Sequence, residues 1–320
     1  MKRLSVMPVL FLSLLLLGGC LDFISQEIFI SRSNDGRDMF FLLVYHGLYS
    51  DGEDQKSISQ FENVLKNSDE FAISDNWPFD FRLVEIKKDI SEGKLKGRPQ
   101  AEKFLNYVCA NIDVKNGGLY KESKTGRLGG FQVICIRGVD EFSRLANEAI
   151  CECLTIDKPS TATFPLTGAL WYEKCKEGRW EWHKFTRSAL LVNIPVAPPE
   201  MGSIRKKFIG DAVTGIHDET STYSLMATKN LLSENVISLV QRRQGFQFIV
   251  GLPEEKINQI TFNIKPEKEK EYSGNLLNFA TSQSIWKGEM RTSDIVNDFK
   301  KSPEKFFNSL PENKPAGPPK

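Results

Sequence analysis

The first twenty residues constrain this chain more than any other stretch. Lys2 and Arg3 give a positive start, Leu4 to Leu17 form an almost unbroken apolar run, and Gly18-Gly19 lead into Cys20. Charge, apolar run and small-residue cleavage site, in that order, make a secretory signal. A membrane-spanning helix would need about 20 apolar residues. This run is shorter, contains Pro8 and ends at Gly18-Gly19, which argues for removal of residues 1–19 over retention as an anchor. The rest of the chain then folds after export, where disulfides are permitted.

Leu17-Gly18-Gly19-Cys20 resembles the lipobox of bacterial lipoproteins. The resemblance implies that Cys20 becomes the first residue of the mature chain, carries diacylglycerol on its sulfur and is acylated, typically with palmitate, on its new amine. One acyl chain binds a membrane marginally and two or more hold it stably, at about 0.8 kcal/mol per buried CH₂. The expected site is the bacterial cell envelope. Leu21 after the cysteine favours the periplasmic face of the outer membrane, while Asp22 keeps the inner membrane as the alternative. The resemblance covers only the leader and says nothing of the body's activity.

The mature chain of about 300 residues is long enough for one large domain or two ordinary ones. With 42 basic and 41 acidic residues its formal charge is +1, so neither nucleic acid nor a strongly charged partner is implied. No later apolar run approaches spanning length. Ala197-Pro198-Pro199-Glu200 is the best internal boundary. It divides a region 20–196 from a region 197–301, with 302–320 as a short helix and a Pro-rich tail.

Glu27 to Ile30 and Met39 to Tyr45 are β-prone runs around Ser33-Asn34-Asp35-Gly36, and Asp-Gly in that setting predicts a hairpin with a type I′ turn. Apolar spacing of three and four predicts helices over Gln55 to Asn67, from Pro99 to Ile112 and from about Asp140 to Ile150. Strands are expected near Phe81 to Ile86, Val114 to Tyr120, Gly130 to Ile136 and Leu166 to Tyr172. The resulting order, β-α-β-β-α-β, is that of a ferredoxin-like unit. Leu170 to Lys174 and Trp180 to Phe185 then suggest a hairpin turning at Glu177-Gly178, followed by a strand at Ala189 to Val196. Further on, a helix is expected near Ser224 to Leu232, then strands at Val236 to Val240, Phe246 to Val250 and Gln259 to Ile264. Lys265 to Glu271 has the charge of a solvated loop, Ser302-Pro303-Glu304 starts a short helix, and Pro311 to Lys320 is too polar to order itself. The fold class is α+β with antiparallel sheets and hairpins.

Few residues offer chemistry. Cys109, Cys135, Cys151, Cys153 and Cys175 remain once Cys20 is set aside, an odd number. Cys109 and Cys135 fit buried apolar faces. Cys151-Glu152-Cys153 lacks the spacing and the histidines of a zinc site, so no metal or cofactor is expected; a disulfide from Cys175 to Cys151 or Cys153 is the alternative use. His217-Asp218-Glu219, with Asp211, is the one compact cluster that could imitate an acid/base pair, although it suits a surface turn equally well. Trp180 and Trp182, two apart, would share one strand face, with Trp171 on a neighbouring strand. Such a trio is either core or an exposed face for a glycan, peptide or envelope protein. The motifs of serine hydrolases, zinc proteases and nucleotide binders are absent. A non-catalytic, membrane-proximal binding or structural module is therefore expected, with an anchored hydrolase as the alternative.

Overall fold

A computed structural model of the chain describes residues 21–50, 83–157, 165–178, 180–204, 222–224, 232–233, 237–242, 245–251, 255–263, 274–282 and 286–311. Its architecture is α+β. Strands β1 (Leu21–Arg32) and β2 (Met39–Ser50) form the expected hairpin, paired from Arg32–Met39 to Leu21–Ser50. The connection is wider than a two-residue Asp-Gly turn. Gly36 closes a turn on the Ser33 carbonyl with φ of +75°, and the Ser33 N–H returns to the Asp38 carbonyl at 2.8 Å. Asp35 holds the loop by accepting from the Ser33 hydroxyl at 2.7 Å and the Arg37 N–H at 3.1 Å.

Next come helices α1 (Leu83–Ser91) and α2 (Pro99–Asn111), strands β3 (Ile112–Glu122) and β4 (Leu128–Ile136), and helices α3 (Val139–Asp157) and α4 (Pro165–Glu177). Two expected strands are thus helices, and the order is α-α-β-β-α-α; the ferredoxin-like unit is not formed. In α1, Ile86 and Ile90 stand one helical turn apart, and Ile86 packs on the core. In α4, Thr167 and Gly168 are buried while Leu166 is 51% exposed, a distribution set by a helix face and not by strand alternation. The hairpin expected around Glu177-Gly178 fails for the same reason, its first arm being α4. Gly178, at φ of +63°, ends that helix.

Strands β5 (His183–Phe185) and β6 (Leu190–Pro195) lead to a 3₁₀ turn at Pro198–Glu200 and the short helix α5 (Met201–Ile204). Short strands β7 (Thr222–Ser224) and β8 (Leu232–Ser233) place both ends of the helix expected at Ser224 to Leu232 in extended structure; the residues between lie outside the described ones. Strands β9 (Ile237–Arg242), β10 (Gly245–Val250) and β11 (Ile257–Asn263) come next, as expected. The chain then forms α6 (Gly274–Thr281), β12 (Trp286–Met290), α7 (Thr292–Lys301) and α8 (Pro303–Ser309), with Ser302 capping α8 and Pro303 in its first turn. The expected helix at 55–67, the loop at 265–271 and the tail beyond Pro311 lie outside the described residues.

The seven-stranded sheet has the order β12-β3-β4-β2-β1-β11-β8, antiparallel throughout except for the β12–β3 pair. A second, antiparallel sheet has the order β5-β6-β10-β9-β7. Strand β2 is central, which explains its continuous apolar run: both faces are covered. Phe41, Leu43 and Tyr45 meet Val108 of α2 and Val139 and Phe142 of α3, whereas Phe40, Leu42 and Val44 meet Ile295 and Phe299 of α7 and Phe307 of α8. The two sheets are joined by a buried knot in which Asn258 donates to the Ser188 carbonyl and hydroxyl, both at 2.7 Å. No helix among the described residues is long and apolar enough to cross a membrane.

Candidate functional site

The face covered by α7 and α8 changes character at one end. Past Val44, β2 carries His46, paired across to Ser25 of β1 and Gly129 of β4. Apolar side chains give way there to a cavity of about 570 Å³ lined by Ile24, Glu27, His46, Tyr120, Glu122 and Thr292, among others. His46 Nε2 lies 2.9 Å from Glu27 Oε2, and Gln259 donates to the other Glu27 oxygen at 2.9 Å. On the opposite wall, Glu122 accepts from the Thr292 hydroxyl and, at 3.0 Å, from the Thr292 N–H that opens α7. The Tyr120 hydroxyl completes this chain, 2.8 Å from Thr292 Oγ1. Burial raises the Glu122 carboxyl, but the Thr292 hydroxyl and N–H and the Lys124 N–H outweigh it and hold Glu122 below the usual carboxylate range. The site is a polar, hydrogen-bonded recess at the end of the sheet where β1 begins.

The pairing of His46 with Glu27 has no local sequence signal, because the two residues lie on different strands and meet only through register. His217, Asp218, Glu219 and Asp211 lie outside the described residues, as does Cys20, the expected lipid attachment point.

The three tryptophans do come together, by a different route. Trp171 is on α4, and Trp180 and Trp182 precede β5 instead of lying within a strand. Trp182 meets Trp171 edge to face at 5.9 Å and Trp180 at 6.4 Å. Trp182 is only 2% exposed. Each indole N–H has a partner within the protein: the Pro195 carbonyl for Trp171, the Asn193 carbonyl for Trp180, and Cys151 Sγ for Trp182. The trio is a packed joint between α4 and β6.

Beside that joint is a second cavity, about 1100 Å³, lined by Ser143, Cys151, Cys175, Trp180 and His183 among others. Two buried atoms on its wall, Ser143 Oγ and His183 Nδ1, have no hydrogen-bond partner among the described residues. Burial between Phe142 and Phe185 drives the His183 imidazole down to about 4, keeping it neutral. Cys151 and Cys153 do not act as a unit, since two positions on a helix are about 200° apart. Cys153 faces Arg98 at 3.7 Å, while Glu152 accepts from the Gln100 and Ala101 N–H groups and caps α2. Cys151 faces Cys175. The neighbouring Cys175 thiol, aided by the Trp182 indole, lowers Cys151 against the opposing effect of burial. Burial instead pushes Cys135 up to about 12 and raises Cys109. The described residues contain no cluster of three or more metal-binding side chains.

No protein-family model matches this chain, and neither a curated protein nor a solved structure shows significant similarity to it.

Proposed function

We propose that this is a lipid-anchored protein of the bacterial cell envelope, held through Cys20 and serving as a non-catalytic binding or structural module at the membrane surface. One observation carries the reading: Leu17-Gly18-Gly19-Cys20 runs straight into β1, whose first residue is Leu21. A lipid on Cys20 would be joined to a strand of the main sheet with no linker. Ser25, at the cavity, is five residues on, about 17 Å at 3.3–3.4 Å per residue. The polar recess around Glu27, His46 and Glu122 therefore suits an envelope protein or glycan presented close to the bilayer. The outer membrane's periplasmic face fits the neutral Leu21.

Metabolic labelling with an alkyne fatty acid tests the anchor. Wild-type protein should be labelled and Cys20→Ala should not; equal labelling of both refutes the reading.

The alternative, an anchored hydrolase, draws support from the His46–Glu27 contact within the cavity. It requires purified protein to cleave a cell-wall or lipid-ester substrate and His46→Ala to abolish the cleavage. The binding reading instead expects no turnover, together with loss of envelope cross-links from a photoreactive residue at Lys124 when Glu27 and His46 are replaced by alanine.

A further inference from the structure

Cys151 and Cys175 come from successive helices that pack together, α3 and α4, and meet on the wall of a solvent-open cavity. Both are half-buried, so a small reagent can reach them while the protein fixes their geometry. The two thiols interact directly, and Trp182 Nε1 donates to the Cys151 sulfur at 3.2 Å. A donor on that sulfur favours its thiolate, the form that attacks disulfides. None of the other described cysteines has this setting. Cys135 is buried in the main sheet, Cys109 sits on α2, and Cys153 points away toward Arg98.

We propose that Cys151 and Cys175 form a reversible dithiol–disulfide couple, with Cys151 as the attacking sulfur, Cys175 as the resolving sulfur, and a protein or small-molecule disulfide as oxidant. The Cys151 thiolate attacks one sulfur of the oxidant; the oxidant's S–S bond breaks and its first thiolate leaves with a proton from the dithiol. Cys175 then loses its proton and attacks the Cys151 sulfur in the mixed disulfide, expelling the second thiolate, which takes that proton. The protein dithiol loses two electrons and two protons, and the oxidant, taking both, becomes two thiols. The product links α3 to α4 beside a buried indole, so oxidation would be reported by Trp182.

The test uses the purified full chain equilibrated across a series of oxidised and reduced glutathione, alkylated, and mapped by mass without reduction. One linked peptide pair containing Cys151 and Cys175, lighter by two hydrogens than the sum of its parts, should appear in a single two-electron transition. Tryptophan emission should change over the same range. Cys175→Ser should stop at a glutathione adduct on Cys151, whereas Cys153→Ser should leave the transition unchanged. Should Cys175→Ser fail to fold, the wild-type peptide map decides alone. A link to Cys109, Cys135 or Cys153, or full alkylation of Cys151 and Cys175 at the most oxidising ratio, overturns the proposal.

Discussion

The Glu152 carboxylate accepts from the backbone N–H of Ala101 at 2.8 Å, reaching from the middle of α3 to the first turn of α2. The same device recurs at two other helix starts. Glu200 accepts from the Leu166 and Thr167 N–H groups of α4, and Glu122 from the Thr292 N–H of α7. Each helix leaves donors unpaired at its first turn, and a carboxylate satisfies them while opposing the positive end of the helix dipole. Here the caps come from distant segments, so they fasten helices to the body as well as completing them.

Replacing Glu152 or Glu122 should therefore cost about 1 kcal/mol, the usual range for a cap being about 0.5–2. Glu152→Ala and Glu122→Ala act at different helices, and their effects should add to within about 0.5 kcal/mol. Urea denaturation of the single and double variants checks this. An unchanged midpoint for Glu152→Ala would mean that solvent replaces the cap at no cost.

A second prediction concerns Gly117, at the bulge in β3 between Asn116 and Gly118. A Cβ built there would lie 1.8 Å from Cε2 of Phe131. Phe131 also packs with Tyr120 and Phe306, so its ring has little room to retreat. Gly117→Ala should destabilise by at least about 1–3 kcal/mol, the cost of overpacking a core. Phe131→Leu, tolerable alone, should recover part of that loss when combined with it. Strict additivity in the double variant would show that the ring is not the obstacle.

His183 gives a pH dependence of known sign. Its folded pKa is depressed to about 4 from an ordinary 6.5, so the unfolded chain binds a proton in that interval which the folded chain refuses. Its contribution is intact above pH 6.5, declines as pH falls, and stops declining below about 4. The loss amounts to at most about 3–4 kcal/mol at 1.36 kcal/mol per pKa unit. His183→Leu should flatten this part of the stability profile measured by urea midpoints from pH 7 to pH 4. An identical slope in wild type and variant would exclude the histidine as its source.

Much of the main sheet was legible because its signals are local. The run from Met39 to Tyr45, the Asp35-Gly36 turn and the Ser302-Pro303 helix start each act within a few residues. The errors at Leu83 to Ile86 and Leu166 to Tyr172 came from short apolar runs whose periods are ambiguous. Pro165 at the start of α4, with Lys174 and Lys176 in its last turn and Gly178 after it, was the missed evidence for a helix. The site was less legible. Glu27 meets His46 through strand register, and Cys151 meets Cys175 through helix packing; neither contact has a sequence pattern of its own.

The last prediction rests on register and the proposed anchor together. Ser25 pairs with His46 and His46 with Gly129, so the β3–β4 turn at residues 123–127 projects beyond Ser25 toward the end of the sheet where β1 begins. Lys124 and Arg127 are exposed on that turn. A lipid on Cys20 would bring them to the headgroups, where each basic residue contributes about 1 kcal/mol on an anionic surface. A photoreactive residue at Lys124 should then cross-link to phospholipid in vesicles containing phosphatidylglycerol. Inserting ten Gly/Ser residues between Cys20 and Leu21 allows a root-mean-square separation of about 16–19 Å. Fatty-acid labelling should survive the insertion while cross-linking to lipid falls. Undiminished cross-linking would mean that the basic turn holds the body to the bilayer without help from the short tether, and no cross-linking in either form would place this end of the sheet away from the membrane.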